Sequence, residues 1–364
     1  MIEKTLSKTN TILLFTFLVI IGLYYGSGFF IPLTFAIFFS MLIVPVSNFI
    51  ENKWGAGRIT SSLISTLILF LVIGLVIYFL FRQLGVFLTD LIDSKDEIRD
   101  YISMGQKQLK DSTGFSIYQQ EEALRERLGF IFEILQTVIS NFLAGLTGML
   151  MSFMLVLIYV LLLLINRDKF VDFLMMYVPE HKKEKANNIL SKTQKVAYKY
   201  LWGRIQVMLI LGVMYTILFF AYDLEHAPLL IIFGVIITII PYIGPLVSGI
   251  LPVLFMIIFG GSTSVVISFT ILVLIIQLIE SYVVEPLIIG SEVHQSPLFV
   301  IIAIILGGAL WGLAGMILFV PIFGILKIIF DNNKELKPIG FLIGYKRPGS
   351  GEDIFEKLKK KFKK

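Results

Sequence analysis

Residues 229–261 read LLIIFGVIITIIPYIGPLVSGILPVLFMIIFGG, an apolar run cut in the middle by Pro241-Tyr242-Ile243-Gly244-Pro245. About twenty apolar residues cross a bilayer as one helix, and this run is longer and broken. Each proline removes an amide donor and clashes with the turn before it, so no continuous helix passes through the motif. Unwound backbone at membrane depth must be satisfied by protein or by a water-filled cavity. The break therefore marks a candidate working site, shaped by Pro241, Gly244 and Pro245, with Tyr242 offering a ring and a hydroxyl. If the second arm starts at Pro245, its first amides are free to bind a polar ligand. The plainer alternative is a structural hairpin tip with Tyr242 as an interfacial aromatic.

Composition agrees with that reading. Of 364 residues, 57% are hydrophobic and 16% charged, with a mean hydropathy of +0.87, where soluble domains carry about 25% charged residues. The fold class is an all-α polytopic membrane protein. A net charge of +5 spread over loops bears on orientation rather than on nucleic acid. The chain has no cysteine, and His181, His226 and His294 lie far apart, so neither disulfides nor a zinc site is expected. It carries no phosphate-binding glycine loop and no His-Glu-x-x-His helix. We expect no cofactor and no metal, and, with no nucleophile and base in a recognisable pattern, no enzyme.

Taken in order, 12–30 and 31–50 read as two spans joined around Gly26 to Pro32 into a hairpin, and 61–81 as a third. The first is expected as an uncleaved span, since a second apolar run follows at once. Within this 1–81 unit, Lys4 and Lys8 place the N-terminal tail, and Lys53 and Arg58 the 51–60 loop, in the cytoplasm. Residues 82–141 form an extracytoplasmic amphipathic segment, with seven basic and ten acidic side chains between 82 and 133. Its stripes either pack on the spans or make a subunit contact. A fourth span, 142–166, returns inward and ends at Asn166-Arg167-Asp168. The next segment, 167–204, has nine basic residues against four acidic and reads as cytoplasmic. Its stripe of Ile189, Val196, Ala197, Tyr200 and Leu201 either lies on anionic headgroups or docks on the spans.

Residues 205–330 form the expected transport core. A span over 205–222 leads to the opening stretch. Another, 262–284, is expected to stop at Glu285-Pro286, because the residue before a proline is pushed out of helical conformation. Residues 298–327 are again apolar and again interrupted, by Gly307-Gly308-Ala309-Leu310-Trp311-Gly312 and by Gly315. Gly308 and Gly312 have the spacing of a close helix contact. Pro252 and Pro321 are read as further interruptions of the two second arms. Paired broken segments mark the binding site of inverted-repeat transporters. As re-entrant hairpins, their arms of about 14 residues reach roughly 21 Å; the alternative is two long kinked spans. The tail, 331–364, ends in lysines over 357–364 that either meet anionic lipid or stay solvated.

Glu280 and Glu285 are the acidic side chains near lipid depth in this half, and Gln277 lies one turn before Glu280 on the same face. A carboxylate inside hydrocarbon costs several kcal/mol and tends to mark an ion or proton path. The pathway candidates are thus Pro241, Tyr242, Gly244, Pro245, Gln277, Glu280, Glu285, Gly308, Trp311 and Gly312.

Asn166-Arg167-Asp168, Tyr177-Val178-Pro179, Tyr200-Leu201-Trp202-Gly203-Arg204, Ile240 to Pro245, Glu285-Pro286-Leu287-Ile288-Ile289-Gly290 and His294 to Pro297 together resemble the autoinducer-2 exporter-like permease family. The resemblance spans about 12–330. It implies an oligomeric permease of the bacterial inner membrane, and the charge distribution and span order are expected to leave both termini in the cytoplasm. Its cargo is a small polar solute such as autoinducer-2, or a monovalent cation exchanged for protons. A non-transporting membrane scaffold is the alternative of another class.

Overall fold

The structure, a computed structural model, describes residues 2–93, 151–258, 262–289 and 295–344. Beyond Asp93, the expected outer segment lies outside the described residues, as do His294 and the lysine tail. Every extended element described is helical. Among the described residues, five helices are long and apolar enough to cross a membrane, or six if one bent pair counts as a span.

α1 (Ile2–Tyr25) and α2 (Ser27–Trp54) meet at Gly26 alone. The Gly26 amide bonds the Gly22 carbonyl at 2.8 Å and the Phe30 amide bonds that of Gly26 at 2.9 Å. Helical bonding on both sides makes this junction a bend, and Pro32 sits inside α2. The expected hairpin with a 26–32 connection is corrected accordingly. α2 packs on α3 (Arg58–Asp93) and on α4 (Met151–Ile165) through Ala36, Ile43, Leu69, Phe70, Val156, Val160 and Leu164. Ser47, Ser61, Ser62, Ser65 and Thr66 are fully buried on α2 and α3, the small residues that let membrane helices approach closely. The Ser65 and Thr66 hydroxyls return to carbonyls one turn back, at 2.7 and 2.8 Å. At Asn166 the chain bends 69° into α5 (Arg167–Met176). Arg58 pairs with Asp168, and Arg167 with Glu51 at 2.7 Å, so the charged ends of α2, α3 and α5 are tied together. Pairs this accessible contribute up to about 1 kcal/mol each. Arg167→Gln is expected to lower the unfolding temperature only slightly, checked by thermal unfolding in detergent.

α6 (Lys183–Ala221) is one unbroken helix of 39 residues, so the basic segment from Lys183 onward and the fifth span are a single rod. Ala197, Tyr200, Arg204, Val207, Leu211, Tyr215 and Leu218 recur at three- and four-residue spacing and are all buried. The stripe through Ala197 and Tyr200 is therefore docked on protein. Its N-terminal half meets the second broken stretch, with Trp311, Leu318, Phe319 and Val320. Its C-terminal half meets the first, with Leu230 and Met256, and the helix after it, with Phe269 and Val273. α6 is the spine on which both are mounted.

Both broken stretches fold back on themselves. α7 (Ala227–Ile237) and α8 (Ile243–Ile258) face each other, since a Cβ on Gly234 would lie 3.6 Å from the Ser248 Cβ, seven residues before and after Pro241. Tyr242 turns the corner at φ 64°. α9 (Thr263–Ile279) follows, then one wide turn, Glu280–Val284, and the short α10 (Glu285–Ile288). The last long element, α11 (Pro297–Asp331), leaves helical geometry at Trp311 and Gly312. Residues 307 and 315 of a straight helix stand about 12 Å apart. Here a Cβ on Gly315 would lie 1.9 Å from the Gly307 carbonyl oxygen, so the arms cross backbone to backbone. The contact pair is Gly307 with Gly315. Gly312, by contrast, has open space around it and is needed for its φ of 59°, while Gly308 faces the Met316 side chain. Pro252 and Pro321 lie inside continuous arms and do not break them. α12 (Lys337–Ile343) folds back onto α11, and the Ser296 amide bonds the Ile343 carbonyl at 2.9 Å.

Candidate functional site

The polar groups of the core gather where α6, the first hairpin and the end of α9 meet. Tyr215 is fully buried on α6, and its hydroxyl donates to the Ser248 carbonyl at 3.1 Å. The Gln277 amide donates to that hydroxyl at 2.5 Å and to Ser248 Oγ at 3.1 Å. Ser248 Oγ in turn donates to the Pro245 carbonyl at 3.2 Å. Two glycines make room for the network: a Cβ on Gly234 would meet the Tyr215 ring at 3.4 Å, and one on Gly249 the Gln277 side chain at 3.4 Å. Three helices are thus joined by polar side chains in a setting where lipid offers no alternative partner.

One turn further along, Glu280 is 1% exposed. Its Oε2 accepts from Ser281 Oγ at 3.1 Å, and its Oε1 has no partner among the described residues. Arg204 is 3% exposed; its Nη1 lies 3.5 Å from Glu285 Oε1, while Nε and Nη2 are buried without a partner among the described residues. Glu285, beside it, is more than a third exposed. Glu280 lies within electrostatic reach of both Arg204 and Glu285, Tyr200 within reach of the same two, and Tyr242 at the hairpin tip within reach of Glu285. Tyr215 in turn lies within reach of Glu280.

The wide turn explains how both carboxylates come to face α6. The Glu285 amide bonds the Glu280 carbonyl, a step of five residues where an α-helix takes four. Helical periodicity sets residues five apart about 140° around the axis, whereas a five-residue bond stacks them. Pro286 makes the widening favourable, since it has no amide to give and would clash with a carbonyl four residues back. Glu285 itself stays helical at φ −62° and ψ −47°. The expected stop at Glu285-Pro286 is therefore replaced by a wide turn, and the helix runs on to Ile288.

Among the candidates, the fold brings Gln277, Glu280, Glu285 and the 241–245 tip to one region. At that tip, Ile243 bonds the Pro241 carbonyl at 2.8 Å and Gly244 that of Ile240 at 2.9 Å. The second arm thus starts at Ile243, ahead of Pro245, and the amides of Ile243 and Gly244 are taken by the chain before it. Gly308, Trp311 and Gly312 belong to the other hairpin. Trp311 Nε1 donates to the Leu23 carbonyl at 2.9 Å and so anchors α1. Trp311→Phe deletes that bond and is expected to lower stability by about 1 kcal/mol, read as a small fall in unfolding temperature. Arg204, Tyr215 and Ser248 were not among the candidates. Arg204 counts as a loop charge until it is placed in register with Tyr200, Val207 and Leu211, which is the signal that locates it.

Comparison with known proteins agrees with this architecture. Over 307 residues the chain is 26% identical to YrrI of Bacillus subtilis, to which a transport role is ascribed, covering 82% of this chain and 85% of that protein. YueF of the same organism, ascribed the same role, is 27% identical over 322 residues, covering 83% and 86%. TqsA of Escherichia coli K12, named an AI-2 transport protein, is 23% identical over 352 residues, covering 93% and 96%. The AI-2E family transporter model matches residues 13–335, and the chain belongs to that family of membrane transporters.

Proposed function

We propose that the chain is a secondary transporter that moves a small polar solute across the bacterial inner membrane, with Glu280 as the group that couples transport to protons. The observation that carries this reading is the Glu280 carboxyl, 1% exposed and with one oxygen unpartnered in a span-forming helix. Charged groups at such depth are costly and tend to persist where they mark an ion or proton path. The Tyr215–Ser248–Gln277 network beside it supplies donors and acceptors for a hydroxylated solute. TqsA makes autoinducer-2 the first cargo to test.

A second reading, exchange of sodium or lithium for protons, draws support from the charges: Arg204 balances one of two carboxylates, leaving a site that a proton or a small cation neutralises. In both readings the end carrying Glu51, Arg58, Arg167 and Asp168 faces the cytoplasm with both termini, and the chain works as a homo-oligomer. Reconstitution separates the cargoes. Under an imposed pH gradient, autoinducer-2 efflux without sodium flux supports the first reading, and sodium flux without organic cargo the second. The absence of flux of either kind would leave a scaffold role and sink the proposal.

A further inference from the structure

We infer that Arg204 is the positioning residue of this site: one guanidinium serves two carboxylates stacked by the wide turn, and passes from Glu285 to Glu280 when Glu280 gives up its proton. The inference rests on the reading of Glu280 as the coupling group. Three observations carry it. The deficits are complementary, because Arg204 has two buried donors without acceptors and Glu280 one buried acceptor without a donor. The present pairing is loose, a single contact of 3.5 Å where a forked pair would be closer and double. The two carboxylates also differ in what losing the cation means. Glu285 is more than a third exposed, so water replaces the guanidinium there, whereas an ionised Glu280 at 1% exposure has no such recourse.

The local backbone suits the transfer. A Cβ on Gly203 would meet the Ile289 side chain at 3.2 Å, so glycine next to Arg204 lets α10 come close enough for Glu285 to reach the guanidinium. The groups within reach of Glu280 are then Arg204 and Tyr215 from α6 and Glu285 and Ser281 from its own helix, while Tyr200 from α6 and Tyr242 from the hairpin tip reach Glu285. In the transfer, Glu280 loses one proton to the pathway, Arg204 remains charged, and Glu285 remains a carboxylate. No other bond changes. In the protonated state the guanidinium holds Glu285; in the ionised state it holds Glu280 and leaves Glu285 to solvent.

The test uses the full chain in proteoliposomes, with R204Q, E285Q, the double variant R204Q/E285Q, and R204K, each followed by thermal unfolding and by coupled flux across a range of pH. R204Q alone leaves Glu285 to solvent and Glu280 without a cation whenever it ionises, and is expected to melt below the parent. The double variant restores charge balance and should melt like the parent. If Arg204 is shared, flux in the double variant stays at least about tenfold down, because the ionised state of Glu280 has lost its partner. E285Q is expected to fold and to lose flux to a similar degree, the guanidinium being held by Glu280. R204K, a cation without the fork, should keep part of the flux with a changed pH profile. Recovery of both melting temperature and flux in the double variant would mean that Arg204 and Glu285 form a structural pair only, and would overturn the inference. Normal coupled flux in E280Q would instead remove the reading of Glu280, a different failure seen in a different variant.

Discussion

Gly315→Ala is expected to prevent the protein from folding. The added Cβ would stand 1.9 Å from the Gly307 carbonyl oxygen and 2.4 Å from its carbon, so what it meets is backbone of the opposite arm. Overpacking against movable side chains costs about 1–3 kcal/mol, and a clash with backbone at a hairpin crossing exceeds that range. Against a total stability of about 5–15 kcal/mol, the loss removes most of the margin. Gly307→Ala should behave alike, its Cβ falling 2.3 Å from the Gly315 carbonyl oxygen. Gly74 is the control: nothing lies within 4 Å of its Cβ direction, and alanine there should be neutral or stabilising by up to about 1 kcal/mol. Size-exclusion profiles and thermal unfolding of the detergent-solubilised variants check all three. Normal folding of Gly315→Ala would mean that the arms do not cross as described.

These glycines also show where the sequence speaks and where it stays silent. The breaks in the two apolar stretches were legible from Pro241, Pro245 and the glycines around Trp311, because backbone chemistry is local. Which glycines touch was not legible: Gly308 and Gly312 have the familiar spacing within one helix, whereas Gly307 and Gly315 meet only after the chain reverses. Glu280 and Gln277 stood out because polar side chains are rare in such runs. Arg204 was hidden among the lysines that precede it, since charge counting treats a helix crossing an interface as though it ended there. The wide turn at Glu280 was hidden for a related reason. Glu-Pro ordinarily ends a helix, and only the packing of Ile288 and Ile289 on Gly203 shows why this one continues.

Glu280→Gln carries the largest expected functional effect. Glutamine keeps the volume and the hydrogen-bonding capacity but neither ionises nor carries a proton, so the fold should persist while coupling fails. Loss of a positioned proton-transfer group typically costs 10²–10⁴-fold, and about a hundredfold fall in coupled flux is expected here. Stability should hold or rise, because a buried carboxyl with an unpartnered oxygen is replaced by a neutral group. The Tyr215–Ser248–Gln277 network is left in place, so any binding of a neutral solute should survive and only its coupling to protons be lost.

The most direct measurement reconstitutes wild type and Glu280→Gln side by side, imposes a pH gradient, and follows internal pH together with autoinducer-2 and sodium. The wild type is expected to move protons with one of these cargoes, and the variant to fold normally with coupled flux reduced about a hundredfold. Coupled flux of wild-type size in Glu280→Gln would contradict the account.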